Sequence, residues 1–169
     1  MPVRVQTADF DLSSEVARLR AAQGVLAAQI GAIATFVGTV RDVNENRGIS
    51  SKVAALTLEH YPGMTERALE AIVDQAKARW NIIDALVVHR VGPLEPQDQI
   101  VLVATVGGHR GEAFAACEFI MDYLKTRAPF WKKERTAQGE HWVDARETDD
   151  VAAAKWAVGA PGAASGKGP

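Results

Sequence analysis

Two segments of the chain carry apolar residues at helical spacing, and short apolar runs of strand length lie around them. The first helix is predicted to begin at Thr65, acting as an N-terminal cap, and to end near Trp80. The second is predicted from about Gly111 to Arg127, where Pro129 stops it because proline cannot continue a helix. Such helices bury their apolar stripe against a sheet, which predicts a single α+β domain with two main helices on a mixed sheet.

The remaining elements follow from shorter patterns. Strands are predicted over residues 3–6, 32–40, 53–59, 85–91, 99–106, 131–135 and 142–145. A helix capped by Ser13 or Ser14 is expected to reach about Gln29, and a short helix to cover 151–156. The polar segment 42–51 is predicted to be a loop, and Gly92-Pro93 a turn. Residues 1–158 should form one domain, and residues 159–169, rich in Gly, Ala, Pro and Ser, a disordered tail.

Composition excludes several classes of protein. The formal net charge of -2 gives no global basic field for nucleic acid. No apolar run approaches the roughly 20 residues of a membrane helix, and the N-terminus lacks the apolar block of a signal peptide. Cys117 is the single cysteine, so a disulfide within the chain is impossible, which suits a reducing compartment. The predicted location is therefore the cytoplasm.

One candidate site lies where a strand meets the second main helix, in Gly107-Gly108-His109-Arg110-Gly111. N–H groups at a helix N-terminus favour anions, and Arg110 can bind a phosphate through two hydrogen bonds while His109 donates another or transfers a proton. The alternative interpretation is a glycine turn that carries two exposed polar side chains.

A second candidate lies at the other end of this helix, where Lys125, Arg127, Lys132 and Lys133 fall within nine residues. Cations at a helix C-terminus are stabilising in their own right, so a charged helix end is one explanation. Lys125 follows apolar helix positions, however, and a partly buried lysine is suited to proton transfer or covalent chemistry.

Single arginines supply further candidates. Arg41 ends a predicted buried strand and opens a polar segment, which is a common place for a ligand contact. Arg146 follows another predicted strand and is equally open to a surface ion pair. The four histidines show no metal-ligand spacing, and Cys117 falls on an apolar helix face, so neither a metal site nor a cysteine nucleophile is predicted.

These stretches resemble one known family, the large subunits of molybdopterin synthase, often called MoaE. The similarity includes Phe36-Val37-Gly38, Val40-Arg41-Asp42 and His109-Arg110, and its most specific part is the segment 119–132, which reads FIMDYLKTRAPFWK. It runs from about residue 31 to 156 in order. The doubled glycine before His109 and a longer segment 42–51 depart from the family pattern.

The resemblance implies an α/β-hammerhead fold and a sulfur-transfer reaction without a resident cofactor. It implies a homodimer in which each protomer binds one small ubiquitin-like subunit, giving a heterotetramer. The small subunit ends in Gly-Gly and carries a C-terminal thiocarboxylate, which delivers sulfur to cyclic pyranopterin monophosphate to make the dithiolene of molybdopterin. The family also suggests that each site takes residues from both protomers.

The same resemblance assigns roles to individual residues. Lys125 matches the central catalytic lysine and Lys132 a supporting acid or electrostatic group. The substrate-binding positions that it implies are Arg41, His109, Arg110, Arg146, Phe36 and Met121, of which the last two would form apolar walls or simply pack in the core. Two alternatives stay open: a non-catalytic binding module for a ubiquitin-like sulfur carrier, and an unrelated enzyme that forms a Schiff base through Lys125.

Overall fold

A computed structural model of the protein describes residues 2–46, 49–143 and 147–157. In chain order its elements are β1 (Val3–Gln6), α1 (Leu12–Ala21), a 3₁₀ helix (Gly24–Gln29), β2 (Ala32–Thr39), β3 (Val43–Asn46), β4 (Ile49–His60), α2 (Met64–Arg79), β5 (Ile82–Arg90), β6 (Gly92–Leu94), β7 (Gln99–Gly107), α3 (Arg110–Arg127), β8 (Phe130–Thr136), β9 (Gly139–Val143) and α4 (Glu147–Ala154). The predicted tail 159–169 and Arg146 lie outside the described residues.

The strands form two sheets. The first has the order β1-β5-β7-β2, in which β1 runs parallel to β5 and the other pairs are antiparallel. The second has the order β3-β4-β8-β9, with β6 also paired to β4. The predicted α+β class with a mixed sheet and two main helices is confirmed. The division into two sheets was not predicted, because β4 pairs with a strand about 70 residues away and periodicity carries no information on such partners.

Both faces of the first sheet are covered. Helices α2 and α3 pack on one face, where Leu69, Phe119 and Tyr123 are almost completely buried against Val87 and Val103. Helix α1 covers the opposite face. Each fully buried apolar side chain of this size contributes roughly 1.5–3 kcal/mol relative to exposure, so this packing fixes where both ends of α3 lie.

Two features of the first predicted helix, its end and its cap, are corrected. The first helix ends at Ala21 instead of continuing to Gln29, and a 3₁₀ helix follows from Gly24, whose φ of 53° is incompatible with an uninterrupted α-helix. Its cap is Asp11, not Ser13 or Ser14, since the Asp11 carboxylate accepts a hydrogen bond from the Ser14 N–H at 2.7 Å.

Three further predictions were wrong in detail. The segment 42–51 contains β3 and the start of β4, paired with Val43 opposite Lys52, and its scarcity of apolar residues left no periodic signal. Gly92 and Pro93 belong to β6, which pairs with β4. Helix α2 is capped at Gly63, whose N–H donates to the Glu66 carboxylate at 2.6 Å.

Thr65 serves a different purpose from the predicted cap. Its buried hydroxyl donates to the Pro129 carbonyl at 3.0 Å and accepts from the Tyr61 N–H at 3.1 Å. It therefore ties the start of α2 to the turn between α3 and β8.

Replacing this hydroxyl should destabilise the protein. We expect Thr65→Val to lower the free energy of unfolding by about 1–3 kcal/mol, because it removes both hydrogen bonds of the buried Thr65 hydroxyl and leaves the Tyr61 N–H and the Pro129 carbonyl without that partner. Urea unfolding measures the change. Thr126→Val is the control, since the Thr126 hydroxyl donates to a carbonyl of its own helix. Equal, small changes in both variants would contradict the assigned role.

His89 joins the two sheets at the end of β5. Its side chain is buried and stacks on Phe130 of β8 with ring centroids 3.9 Å apart, while Nδ1 lies 2.8 Å from the Arg90 carbonyl oxygen. The pKa of His89 is lowered from 6.5 to about 4, mainly by burial and also by the nearby His60, against the opposing effect of the Arg90 carbonyl. His89 is therefore neutral in the folded protein near neutral pH.

This burial predicts acid sensitivity. Above pH 6.5 the imidazole is neutral in both folded and unfolded chains, and as the pH falls toward 4 only the unfolded chain gains the proton. Between about pH 7 and pH 4.5, we expect the free energy of unfolding to fall by about 2–3 kcal/mol more in the native protein than in the His89→Phe variant. Chemical unfolding at both pH values tests this, with the exposed His141→Gln as control. Identical pH dependence in native protein and His89→Phe would refute it.

Candidate active site

A cavity of about 540 Å³ opens between the two sheets and the C-terminal end of α3. The end of β2, the strands β4 and β8, the last turns of α3 and the first turn of α4 supply its walls. Five of the predicted site residues line it: Phe36, Arg41, Met121, Lys125 and Lys132. The fold therefore brings cationic and apolar side chains together around a single volume.

The turn after α3 explains how two lysines seven residues apart reach the same cavity. Helix α3 ends at Arg127, and Ala128 adopts an extended conformation before Pro129. Strand β8 starts immediately afterwards at Phe130 and pairs with β4. Lys125 therefore enters from the helix side and Lys132 from the sheet side.

Lys125 lies in the last turn of α3. Its side chain is about half exposed, and its Nζ lies 3.9 Å from the Asp149 Oδ1 on α4. One turn earlier, Met121 is buried beside it and forms part of the cavity wall. The charged neighbour in contact with Lys125 is thus a carboxylate, where the sequence had suggested apolar and cationic surroundings.

Lys132 forms the closest ion pair of the cavity. Its Nζ lies 3.0 Å from Glu134 Oε1, and Glu134 exposes only 4% of its side chain. The two residues are two apart on β8 and therefore point to the same face. The His141 ring, on β9, lies 3.9 Å from the other Glu134 oxygen. A buried carboxylate fixes the position of the ammonium group more firmly than an exposed one, because the surrounding protein restricts its movement.

Phe36 and Arg41 come from the end of β2. Phe36 is 41% exposed, so the predicted buried strand presents an apolar side chain to the cavity and the surface. Gly38 gives it room, since a Cβ there would lie 2.9 Å from Val101 and 3.3 Å from the Phe36 ring. Arg41 is exposed at the cavity rim, where its guanidinium can reach an anion.

His109 and Arg110 do not join this group. Both are exposed at the N-terminus of α3. Arg110 and Lys125 are fifteen positions apart on this helix, which corresponds to about 22 Å along its axis. The preceding Gly108 carbonyl packs against Gly31, where a Cβ would approach it to 2.2 Å, so the backbones pass in direct contact.

Three cavity residues were missed by sequence reasoning. His89 is buried at the cavity wall, Glu134 holds Lys132, and Asp149 faces Lys125. The Lys132–Glu134 spacing was a usable signal, since alternate residues of a strand share a face. His89 and Asp149 gave none, because each reaches the cavity from an element distant in sequence.

Cys117 does not line the described cavity. Cys117 is buried against β7, and burial raises the pKa of its thiol to about 11, so the thiol stays protonated. Residues 2–46, 49–143 and 147–157 contain no group of three or more His, Cys, Asp or Glu side chains placed to hold a metal ion. No helix in this part of the chain is long and apolar enough to cross a membrane.

Two known proteins are highly similar to this chain. A relative from Ralstonia nicotianae, named molybdopterin synthase catalytic subunit, is 65% identical over 156 residues, covering 92% of this chain and 84% of its own length. The solved structure of a molybdopterin biosynthesis MoaE protein from Burkholderia ambifaria is 61% identical with a TM-score of 0.76, covering 93% of this chain and 98% of that one.

A more distant structure shares the same architecture. The crystal structure of molybdopterin synthase from Staphylococcus aureus is 28% identical with a TM-score of 0.73, and the match covers 85% of this chain and 98% of that chain. These overlaps confirm the predicted α/β-hammerhead fold class. The family described as MoaE protein matches residues 5–127. The chain therefore belongs to the MoaE family of molybdopterin synthase catalytic subunits.

Proposed function

We propose that this chain transfers sulfur from the thiocarboxylated C-terminus of a small ubiquitin-like subunit to cyclic pyranopterin monophosphate, forming the dithiolene of molybdopterin. The observation that carries the proposal is the meeting of Lys125, Lys132 and Arg41 with the apolar Phe36 and Met121 around one cavity. Its volume of about 540 Å³ lies within the range typical of small-ligand sites.

The cations suit an anionic substrate and charge that develops during the reaction. Arg41 at the rim can bind the substrate phosphate. Lys125 and Lys132 can donate hydrogen bonds to an oxyanion and move protons, and held groups of this kind stabilise developing charge without rearranging. Phe36 and Met121 offer apolar contacts to the pterin rings.

The sulfur must come from outside this chain. Its single cysteine is buried, with a thiol pKa raised to about 11, and it does not line the cavity. A thiocarboxylate brought by a partner supplies the nucleophilic sulfur that the cavity lacks. After transfer, an oxygen from water replaces the sulfur and returns the partner's C-terminus as a carboxylate. The lone thiol also fits the reducing cytoplasm as the place where the chain acts.

We include His109 and Arg110 in the proposal as residues that one chain of a homodimer contributes to the cavity of the other. About 22 Å of helix separates Arg110 from Lys125 in one chain, so this pair can serve a cavity only in a second copy. Apolar side chains near them remain exposed: Phe114, one turn along α3 from Arg110, exposes 65% of its surface, and Ile33 on the edge strand β2 exposes 36%. A two-fold interface over this surface would cover these side chains.

Removal of the central lysine tests the reaction. With thiocarboxylated small subunit and cyclic pyranopterin monophosphate, we expect Lys125→Ala to lower product formation at least 100-fold, on the order of the usual contribution of a positioned acid–base group. Product is measured as its fluorescent oxidised pterin. Lys77→Ala is the matched control, because Lys77 also pairs with an aspartate, Asp84 at 2.9 Å, but lies outside the cavity.

The outcomes separate the alternatives. Native turnover with an inactive Lys125→Ala supports the proposal, whereas full activity in this variant overturns the assigned mechanism. No turnover by the native chain, despite a stable complex with the small subunit, supports the binding-module alternative.

Mixed dimers test the contribution of the second copy. Arg110→Ala and Lys125→Ala homodimers should each be nearly inactive. Dissociated and reassociated together, they should regain up to about a quarter of native activity, because half of the dimers become mixed and each mixed dimer restores one complete site. The reference sample mixes native chain with the double variant Arg110→Ala/Lys125→Ala, which carries both mutations in one chain. Absence of recovery would place Arg110 in the cavity of its own chain or outside the reaction.

A further inference from the structure

Helix α4 lies antiparallel along one face of α3. Glu118, Asp122 and Lys125 share that face, at spacings of four and three residues. Lys155, just beyond α4, contacts Glu118 and lies 3.2 Å from Asp122, whereas Asp149, in the first turn of α4, lies 3.9 Å from Lys125. Lys155 thus faces two acids at the end away from the cavity, and Asp149 faces Lys125 at the cavity end.

The end of this segment away from the cavity is firmly anchored. Trp156 Nε1 donates to Asp122 Oδ2 at 2.7 Å, and Arg79 donates to the Trp156 carbonyl at 2.8 Å. The indole packs edge-on against Trp80 and Phe119, with ring centroids 5.4 and 5.7 Å away. These contacts hold α4 in place without the Asp149 carboxylate.

Asp149 is thereby presented to Lys125 at the cavity wall. Its side chain is 24% exposed, and both partners line the cavity. An ion pair this open adds little to stability. A lysine at the end of a four-carbon stem has many accessible rotamers, however, and a fixed carboxylate selects those that keep Nζ in the cavity.

We infer that Asp149 is a positioning residue for Lys125, held in place by the Lys155–Trp156 anchor. The inference rests on the proposed catalytic role of Lys125. Helix α4 then contributes to the reaction, because it brings to the cavity a carboxylate that α3 does not supply at that position. A purely structural role is the alternative to test against, because an acid in the first turn of a helix also stabilises that helix.

The test compares variants in the complex with thiocarboxylated small subunit. Asp149→Asn removes the charge at nearly constant shape, Asp149→Glu restores it, and Asp150→Asn removes the same charge from the exposed neighbouring residue of α4. We expect Asp149→Asn to lower kcat about 10-fold, with KM for cyclic pyranopterin monophosphate changed less than about twofold, because a misplaced lysine weakens the transition state more than substrate binding. Asp149→Glu should recover most of this loss, and Asp150→Asn should match native protein.

A second measurement does not depend on turnover. The rate at which acetic anhydride labels Lys125, followed by mass spectrometry with Lys77 as internal reference, should rise several-fold in Asp149→Asn and stay unchanged in Asp150→Asn. The double variant Lys125→Ala/Asp149→Asn should be no less active than Lys125→Ala alone, since residues that act as one unit are not additive.

Distinct results overturn the two proposals. Native-like kcat and labelling in Asp149→Asn, beside an inactive Lys125→Ala, would refute the positioning role and leave the proposed function intact. Equal losses of kcat and melting temperature in the Asp149→Asn and Asp150→Asn variants would show a structural role and also refute it. Full activity of Lys125→Ala would instead refute the proposed function.

Discussion

The burial of α3 against the first sheet and the neighbouring α2 is the constraint on which the site depends. Phe119, Ile120 and Tyr123 are almost completely buried, so the helix cannot rotate or slide without exposing them. This packing fixes the last turn, and with it the position of Lys125. Because Pro129 then ends the helix, the chain enters β8 at once and returns Lys132 to the same cavity.

The carboxylate partners of the two lysines come to the cavity from two separate elements, β8 and α4. Lys132 is held by Glu134 from its own strand, at 3.0 Å, whereas Lys125 meets Asp149 from α4, at 3.9 Å. The first pair is almost buried on its acidic side and the second is open to solvent. The two lysines are therefore held with different firmness, which is consistent with the roles proposed for them. Arg41 also belongs to the cavity lining and is exposed.

Much of the fold was predictable because the main helices carry apolar residues at helical spacing, and strands β5 and β7 are nearly continuous apolar runs. Strand β7 and helix α3 were each predicted to within a residue or so of their observed bounds. The errors fell on elements whose stability comes from partners distant in sequence. Strand β3 is defined by pairing with β4, and β6 by its place beside Leu56. At the first helix, the competition between Asp11 and two serines as the cap was decided by a single local hydrogen bond.

The sequence by itself determined the helix stripes, the proline stop after α3, the family resemblance and the residue types available for chemistry. Tertiary structure alone decided which of these residues share a cavity. Helix length separates Arg110 from Lys125 by about 22 Å within one chain, while packing brings Phe36, from β2, to the same cavity as Lys132, from β8. The physical reason is that periodicity records which face of an element is buried, whereas a site forms where several buried faces meet. Asp149 shows this limit clearly, because its contact with Lys125 depends on an anchor at Trp156 that no local pattern reveals.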